Sequence, residues 1–156
     1  MEAKVARAWL AVIACIGVIW MLAGDEFSAY QTGSVLDPVL HWLIPGITRS
    51  EMDAVHFAVR KIAHAFEYGL LALLAFRAFR LSIDLRMAIT MGLALLLVLT
   101  VAGLDEYQQG QSAVRTGSTR DVAIDFFGGV LGIALLLALR RALSLRAAPA
   151  SSPREG

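Results

Sequence analysis

Residues 57–79 read FAVRKIAHAFEYGLLALLAFRAF. The run is long enough to cross a bilayer as a helix, which takes about 20 predominantly apolar residues. Its first half nevertheless carries Arg60, Lys61, His64 and Glu67. Charged groups at membrane depth are costly, so they face a bundle interior and mark function. This one stretch therefore predicts a membrane-spanning helix with a polar face at one end.

Three further apolar runs accompany it, Val5–Ala23, Met87–Leu104 and Val122–Leu139. With 156 residues, 58% of them hydrophobic, and a mean hydropathy of +0.66, the chain is more apolar than a soluble core of this size requires. The expected fold class is all-α: a polytopic membrane protein, a bundle of four transmembrane helices. Lys and Arg favour cytoplasmic flanks. Lys4 and Arg7 precede the first run, Arg77, Arg80 and Arg86 surround the second link, and Arg140, Arg141, Arg146 and Arg154 follow the fourth run. Both termini are accordingly expected in the cytoplasm, with Arg60 and Lys61 as dissenters at the outer end.

Residues 24–56 form the first external segment, rich in Asp and Glu. Within it, Val35–Ile44 (VLDPVLHWLI) predicts a short interfacial helix between the first two spans, capped by Asp37 with Pro38 at its first helical position and ended by Pro45 and Gly46. The first run is expected to be a retained anchor, since Met21 suits signal cleavage before Ala23 poorly. The lone Cys15 inside it reads as a small buried residue. Residues 1–146 are expected to form one membrane domain, and residues 147–156, rich in Ala, Ser and Pro, a disordered cytoplasmic tail.

Net charge is +1, which gives no case for nucleic acid. The polar residues converge on the outer end. Lys61, His64, Glu67 and Tyr68 share a broad helical face. The third run exits into Asp105, Glu106, Tyr107, Gln108 and Gln109, and one more helical turn would put Asp105 and Gln109 on one face. Arg115, Thr116, Gly117, Ser118, Thr119, Arg120 and Asp121 then lead into the fourth run. There Ser118 or Thr119 serves as a cap and Asp121 meets the helix dipole. Asp125, Gly128 and Gly132 continue one face, a small-residue pattern that allows close helix approach and turns Asp125 inward.

Three segments resemble the VanZ-like family of bacterial membrane proteins, named for a teicoplanin-resistance protein. They are Lys61-Ile-Ala-His64-Ala-Phe-Glu67-Tyr68-Gly69, Asp105-Glu106-Tyr-Gln-Gln109 and Arg115-Thr-Gly117-Ser118-Thr-Arg120-Asp121, followed by Gly128 and Gly129. The resemblance implies a four-helix membrane fold in the bacterial cytoplasmic (inner) membrane and a link to the cell envelope or glycopeptide antibiotics. It places the family's polar positions on Lys61, His64, Glu67, Asp105, Glu106, Gln109, Arg115 and Asp121. At Asp125 the family commonly carries Asn, so this chain departs from it there.

Four functions compete. A ligand site of Lys61, His64, Glu67, Asp105, Glu106, Gln109, Arg115, Arg120, Asp121 and Asp125 would bind an anionic or lipid-linked envelope component and alter glycopeptide susceptibility. A membrane enzyme would use His64, Glu67, Asp105 and Glu106 as candidate catalytic groups on a lipid-linked or phosphate-containing substrate. A structural ion-pair network would join Arg60 or Lys61 to Asp105 or Asp121. A proton or ion pathway fits least, because the inner halves of the spans carry no continuing polar groups. HExxH, GxSxG and paired-cysteine motifs are lacking, so no metal and no cofactor is assigned. Membrane lipid is the remaining expected partner, and nothing in the chain specifies an oligomeric state.

Overall fold

The computed structural model describes residues 1–23, 29–110 and 118–147. All regular elements among them are helical: α1 (Glu2–Ala23), α2 (Ala29–Leu43), α3 (Arg49–Ser82), α4 (Met87–Gly110) and α5 (Thr119–Ala147). Four of these, α1, α3, α4 and α5, are long and apolar enough to cross a membrane. The four-span, all-α expectation therefore holds, and each expected span lies inside a longer helix.

At 1.5 Å per residue α3 is about 50 Å long, well beyond the roughly 30 Å of hydrocarbon. Its start lies eight residues ahead of the apolar run because Thr48 and Glu51 form a capping box: the Thr48 N–H donates to Glu51 Oε2 at 2.8 Å, and the Glu51 N–H donates to Thr48 Oγ1 at 3.4 Å. Such an exchange satisfies two orphan donors of the first turn. The T-x-x-E signature for this start is legible in the sequence.

The short helix is a partial correction. It runs Ala29–Leu43 with Pro38 in its interior, rather than starting at Pro38. Asp37 does not cap it; its Oδ1 lies 2.8 Å from His56 Nε2 on α3. An interior proline forgoes one helical hydrogen bond, and the Asp37–His56 contact links this helix to α3. Beyond Leu43 the chain turns at Gly46, whose φ of +96° a residue with a Cβ rarely adopts.

Small residues are prominent in the interior of the bundle, beside a few large ones such as Tyr68 and Phe76, and many large apolar residues face outward. Ala72, Ala75, Ala78, Ala94 and Ala102 are buried, whereas Phe66, Leu96, Phe127, Leu131, Leu135 and Leu139 are exposed. That is the distribution expected when lipid covers the outside and close packing holds the inside. Helix α3 is central, packing most extensively on α5, then α1, then α4. Its contact with α5 is made by glycines: a Cβ at Gly128 would lie 2.7 Å from Ala65 Cα, and one at Gly132 would lie 3.0 Å from Gly69 Cα. At the far end the Trp9 indole N–H donates to Ser82 Oγ at 2.9 Å, and the ring meets Phe79 edge-on at 5.1 Å between centroids. The first turns of α1 thereby pack against the last turns of α3, so the N-terminal half of α3, the end of α4 and the start of α5 share the opposite end.

Candidate functional site

At that opposite end lies a cavity of about 480 Å³. Helix α3 supplies Phe57, Arg60, Lys61 and His64, α4 supplies Glu106 and Gln109, and the start of α5 supplies Ser118, Arg120, Asp121 and Asp125. Residues distant in sequence meet because α3 and α5 approach closely at Gly128 and Gly132, while α4 continues to Gly110, nearly two turns past its apolar run.

Each wall has its own internal support. Ser118 precedes α5, and its carbonyl accepts from the Asp121 N–H at 2.8 Å, while its Oγ accepts from the Arg120 N–H at 3.2 Å. Its own N–H donates to Glu106 Oε2 at 2.5 Å. Glu106 thus performs from another helix the role that Glu51 performs at Thr48. Asp121, in the first turn of α5, pairs with Lys61 Nζ at 2.5 Å across the cavity. Lys61 also lies 5.3 Å from the Phe57 ring centroid, a cation–π distance.

Deeper in, Asp125 is 3% exposed, and its Oδ1 lies 3.7 Å from His64 Nδ1. The His64 ring stacks on Tyr68 at 6.5 Å between centroids, with an interplanar angle of 13°. Asp105 is 1% exposed and accepts from Gln109 Nε2 at 2.9 Å, so the extra turn of α4 does put these two on one face. Tyr68 is fully buried, and its hydroxyl has no hydrogen-bond partner among the described residues.

Of the residues singled out from sequence, Lys61, His64, Glu106, Gln109, Arg120, Asp121 and Asp125 line the cavity. Asp105 lies beneath it. Glu67 is half-buried and is not among the lining residues; Asp125 is an acidic neighbour of His64. Arg115 lies outside the described residues, as do residues 148–156. Phe57 and Ser118 are lining residues additional to the sequence-derived site, and Arg60 joins them as more than an ion-pair candidate. Phe57, seven residues before His64, is recoverable from helical periodicity. Ser118 is visible in sequence only as a cap.

Among the described residues no group of three or more His, Cys, Asp or Glu is placed to hold a metal ion. No curated protein and no solved structure matches the chain. A family model described as VanZ/LLP1, however, matches residues 8–140, which cover most of each of the four spans and include every residue lining the cavity. With that match extending over most of its length, the chain belongs to the VanZ/LLP1 family, as a VanZ-like membrane protein.

Proposed function

We propose that the cavity binds an anionic, lipid-linked component of the bacterial cell envelope, and that the protein thereby alters susceptibility to glycopeptides such as teicoplanin. In this reading it lies in the cytoplasmic membrane with both termini inside and the cavity outward. The basic residues around the α3–α4 link and the end of α5 support that orientation.

One observation carries the ligand assignment. Lys61 is matched by Asp121, but the side chains of Arg60 and Arg120, both exposed and both lining the cavity, have no ion-pair partner among the described residues. Two guanidinium groups from different helices suit a phosphate or carboxylate, which each can hold with paired donors. The test is binding of polyprenyl phosphate to purified protein, alongside teicoplanin susceptibility of cells expressing wild type, His64→Ala, Asp105→Ala and Asp121→Ala. Membrane levels and thermal stability of each variant are measured in parallel. Saturable binding lost in the Arg60→Ala, Arg120→Ala double variant supports the assignment. Unchanged binding there, or variants that lose stability and phenotype together, would favour a structural ion-pair network.

A second reading, a membrane enzyme acting on the same class of ligand, is favoured by His64. Its ring lines the cavity with the Asp125 carboxylate 3.7 Å away, a base with an acidic neighbour. Turnover of a lipid phosphate by wild type and its loss in His64→Ala would decide for it.

A further inference from the structure

The end of the bundle opposite the cavity carries a cluster of arginines at the seam between α3 and α5. Arg77 and Arg80 on α3 and Arg140 and Arg141 on α5 are exposed, and none of the four has an ion-pair partner among the described residues. The acids on the described residues at this end are Glu2 and Asp84, while residues 148–156 hold one charge of each sign, Arg154 and Glu155, so the excess of cations does not rest on them. A preference of basic residues for cytoplasmic flanks accounts for their number. It does not account for their arrangement. Gly128 meets Ala65 and Gly132 meets Gly69, so α3 and α5 advance together in the same direction; eight residues further on, Arg77 comes level with Arg140. The Arg140 guanidinium lies over the Phe76 ring, 5.5 Å from its centroid. Arg80 follows Phe76 by four residues and so shares its face of α3, and its Nη1 donates to the Leu85 carbonyl at 3.0 Å. Two guanidinium groups, one from each helix, are thereby fastened along one seam.

We infer that this seam binds the headgroup of a dianionic phospholipid, two phosphate diesters joined by a short bridge as in diphosphatidylglycerol, with one phosphate at Arg140 and the other at Arg80. The inference is independent of the cavity and of its ligand. Depth selects a lipid. Along α3, Arg77 and Arg80 lie about 24 and 29 Å from Lys61 at 1.5 Å per residue, so with Lys61 at one boundary of the roughly 30 Å hydrocarbon layer they reach the other, where bilayer phosphates lie. The ring contact covers one face of the Arg140 guanidinium and leaves the N–H donors of its edge free for a phosphate. Arg80 gives one of its five donors to Leu85 and keeps the rest. Each can therefore hold a phosphate with paired donors. Packed helix axes lie roughly 8–10 Å apart, so anchors on two helices favour two bridged phosphates over a single one, and basic clefts between spans are where such headgroups bind. Leu135 and Leu139, exposed on α5 on the hydrocarbon side of Arg140, offer the acyl chains an apolar surface.

The test titrates delipidated, full-length protein with oleoyl diphosphatidylglycerol, phosphatidylglycerol and phosphatidylethanolamine at equal phosphate concentration, read by native mass spectrometry. Diphosphatidylglycerol is expected to bind about tenfold or more tighter than phosphatidylglycerol, the worth of one further charged hydrogen bond, with the ethanolamine lipid weakest. The double variant Arg80→Lys, Arg140→Lys keeps the charge but removes the paired planar donors, and should abolish the preference between the two anionic lipids. The same exchange at two other exposed basic residues of this end, Arg7→Lys with Arg86→Lys, should leave the preference intact. If the seam variant fails to fold, Arg140→Lys alone, at an exposed position, should lower the preference in the same direction. Equal binding of the two anionic lipids by wild type, or a preference that survives in the seam variants, overturns the inference. So does a preference lost equally in both double variants, which would mark a diffuse basic surface. Inorganic pyrophosphate that displaces the lipid at equal concentration would place the ligand in solution and overturn the lipid assignment.

Discussion

Glu106, near the end of α4, accepts the backbone N–H of Ser118, the capping residue of α5, at 2.5 Å. A carboxylate on one helix thus caps the next, and it also offsets the positive end of the α5 dipole. Glu106→Ala leaves a partly buried N–H without its acceptor. The expected loss is about 1.5–3 kcal/mol, the range for a hydrogen bond to a charged group. Glu106→Gln retains an acceptor and should lose less than half of that. Thermal unfolding in detergent checks both, and equal losses for the two variants would contradict the capping role.

The α3–α5 interface leaves no room for a methyl group at two glycines. A Cβ at Gly128 would lie 2.7 Å from Ala65 Cα, and one at Gly132 would lie 2.6 Å from the Gly69 carbonyl oxygen; both obstacles are backbone. Gly128→Ala and Gly132→Ala should each cost about 1–3 kcal/mol or more through overpacking and widen the cavity walls that these helices carry. Gly92 and Gly103 have nothing within 4 Å of an added Cβ. Alanine there should be neutral or slightly stabilising, since it favours helix. Melting temperatures of the four variants make the comparison.

The Lys61–Asp121 pair joins α3 to α5 with both side chains partly shielded from water. A double-mutant cycle with Lys61→Met and Asp121→Asn should give a coupling of roughly 0.5–3 kcal/mol, the range for residues in direct contact. Either single variant should lose more stability than the double, because each leaves one charge partly buried alone. Additive losses would mean that the two groups do not interact.

Trp9 links the start of α1 to the end of α3 through its N–H on Ser82 Oγ and its edge-on contact with Phe79. Trp9→Phe keeps an aromatic ring but removes the donor, and should cost about 1 kcal/mol. Trp9→Ala should cost about 3–5 kcal/mol, the range for deleting a packed aromatic. Unfolding followed by circular dichroism separates the two effects.

The proposed orientation is tested by thiol labelling of single cysteines in a Cys15→Ser background. Asp53→Cys, exposed in the first turns of α3, should react with a membrane-impermeant maleimide in intact cells. Leu81→Cys, exposed at the other end of the same helix, should react only after lysis. The reverse pattern would invert the topology and turn the cavity inward.

Helix count, helix class and the end of the bundle that collects charge were determined by the sequence itself. Runs such as Met87–Leu104 are too apolar for water, and a spanning backbone must satisfy its own hydrogen bonds, so local composition suffices. The small-residue spacing of Gly128 and Gly132 likewise marked a close helix contact before any partner was known. Periodicity places Lys61, His64 and Asp125 on inward faces, but it does not choose among partners on other helices. Tertiary structure decided that Lys61 meets Asp121, that His64 lies beside Asp125, and that Glu106 caps α5 through Ser118. It also drew α2 back to Ala29 and tied Asp37 to His56 instead of to its own helix start. Pairings across helices depend on crossing geometry and on which backbones a glycine allows to touch, and neither is a property of any single segment.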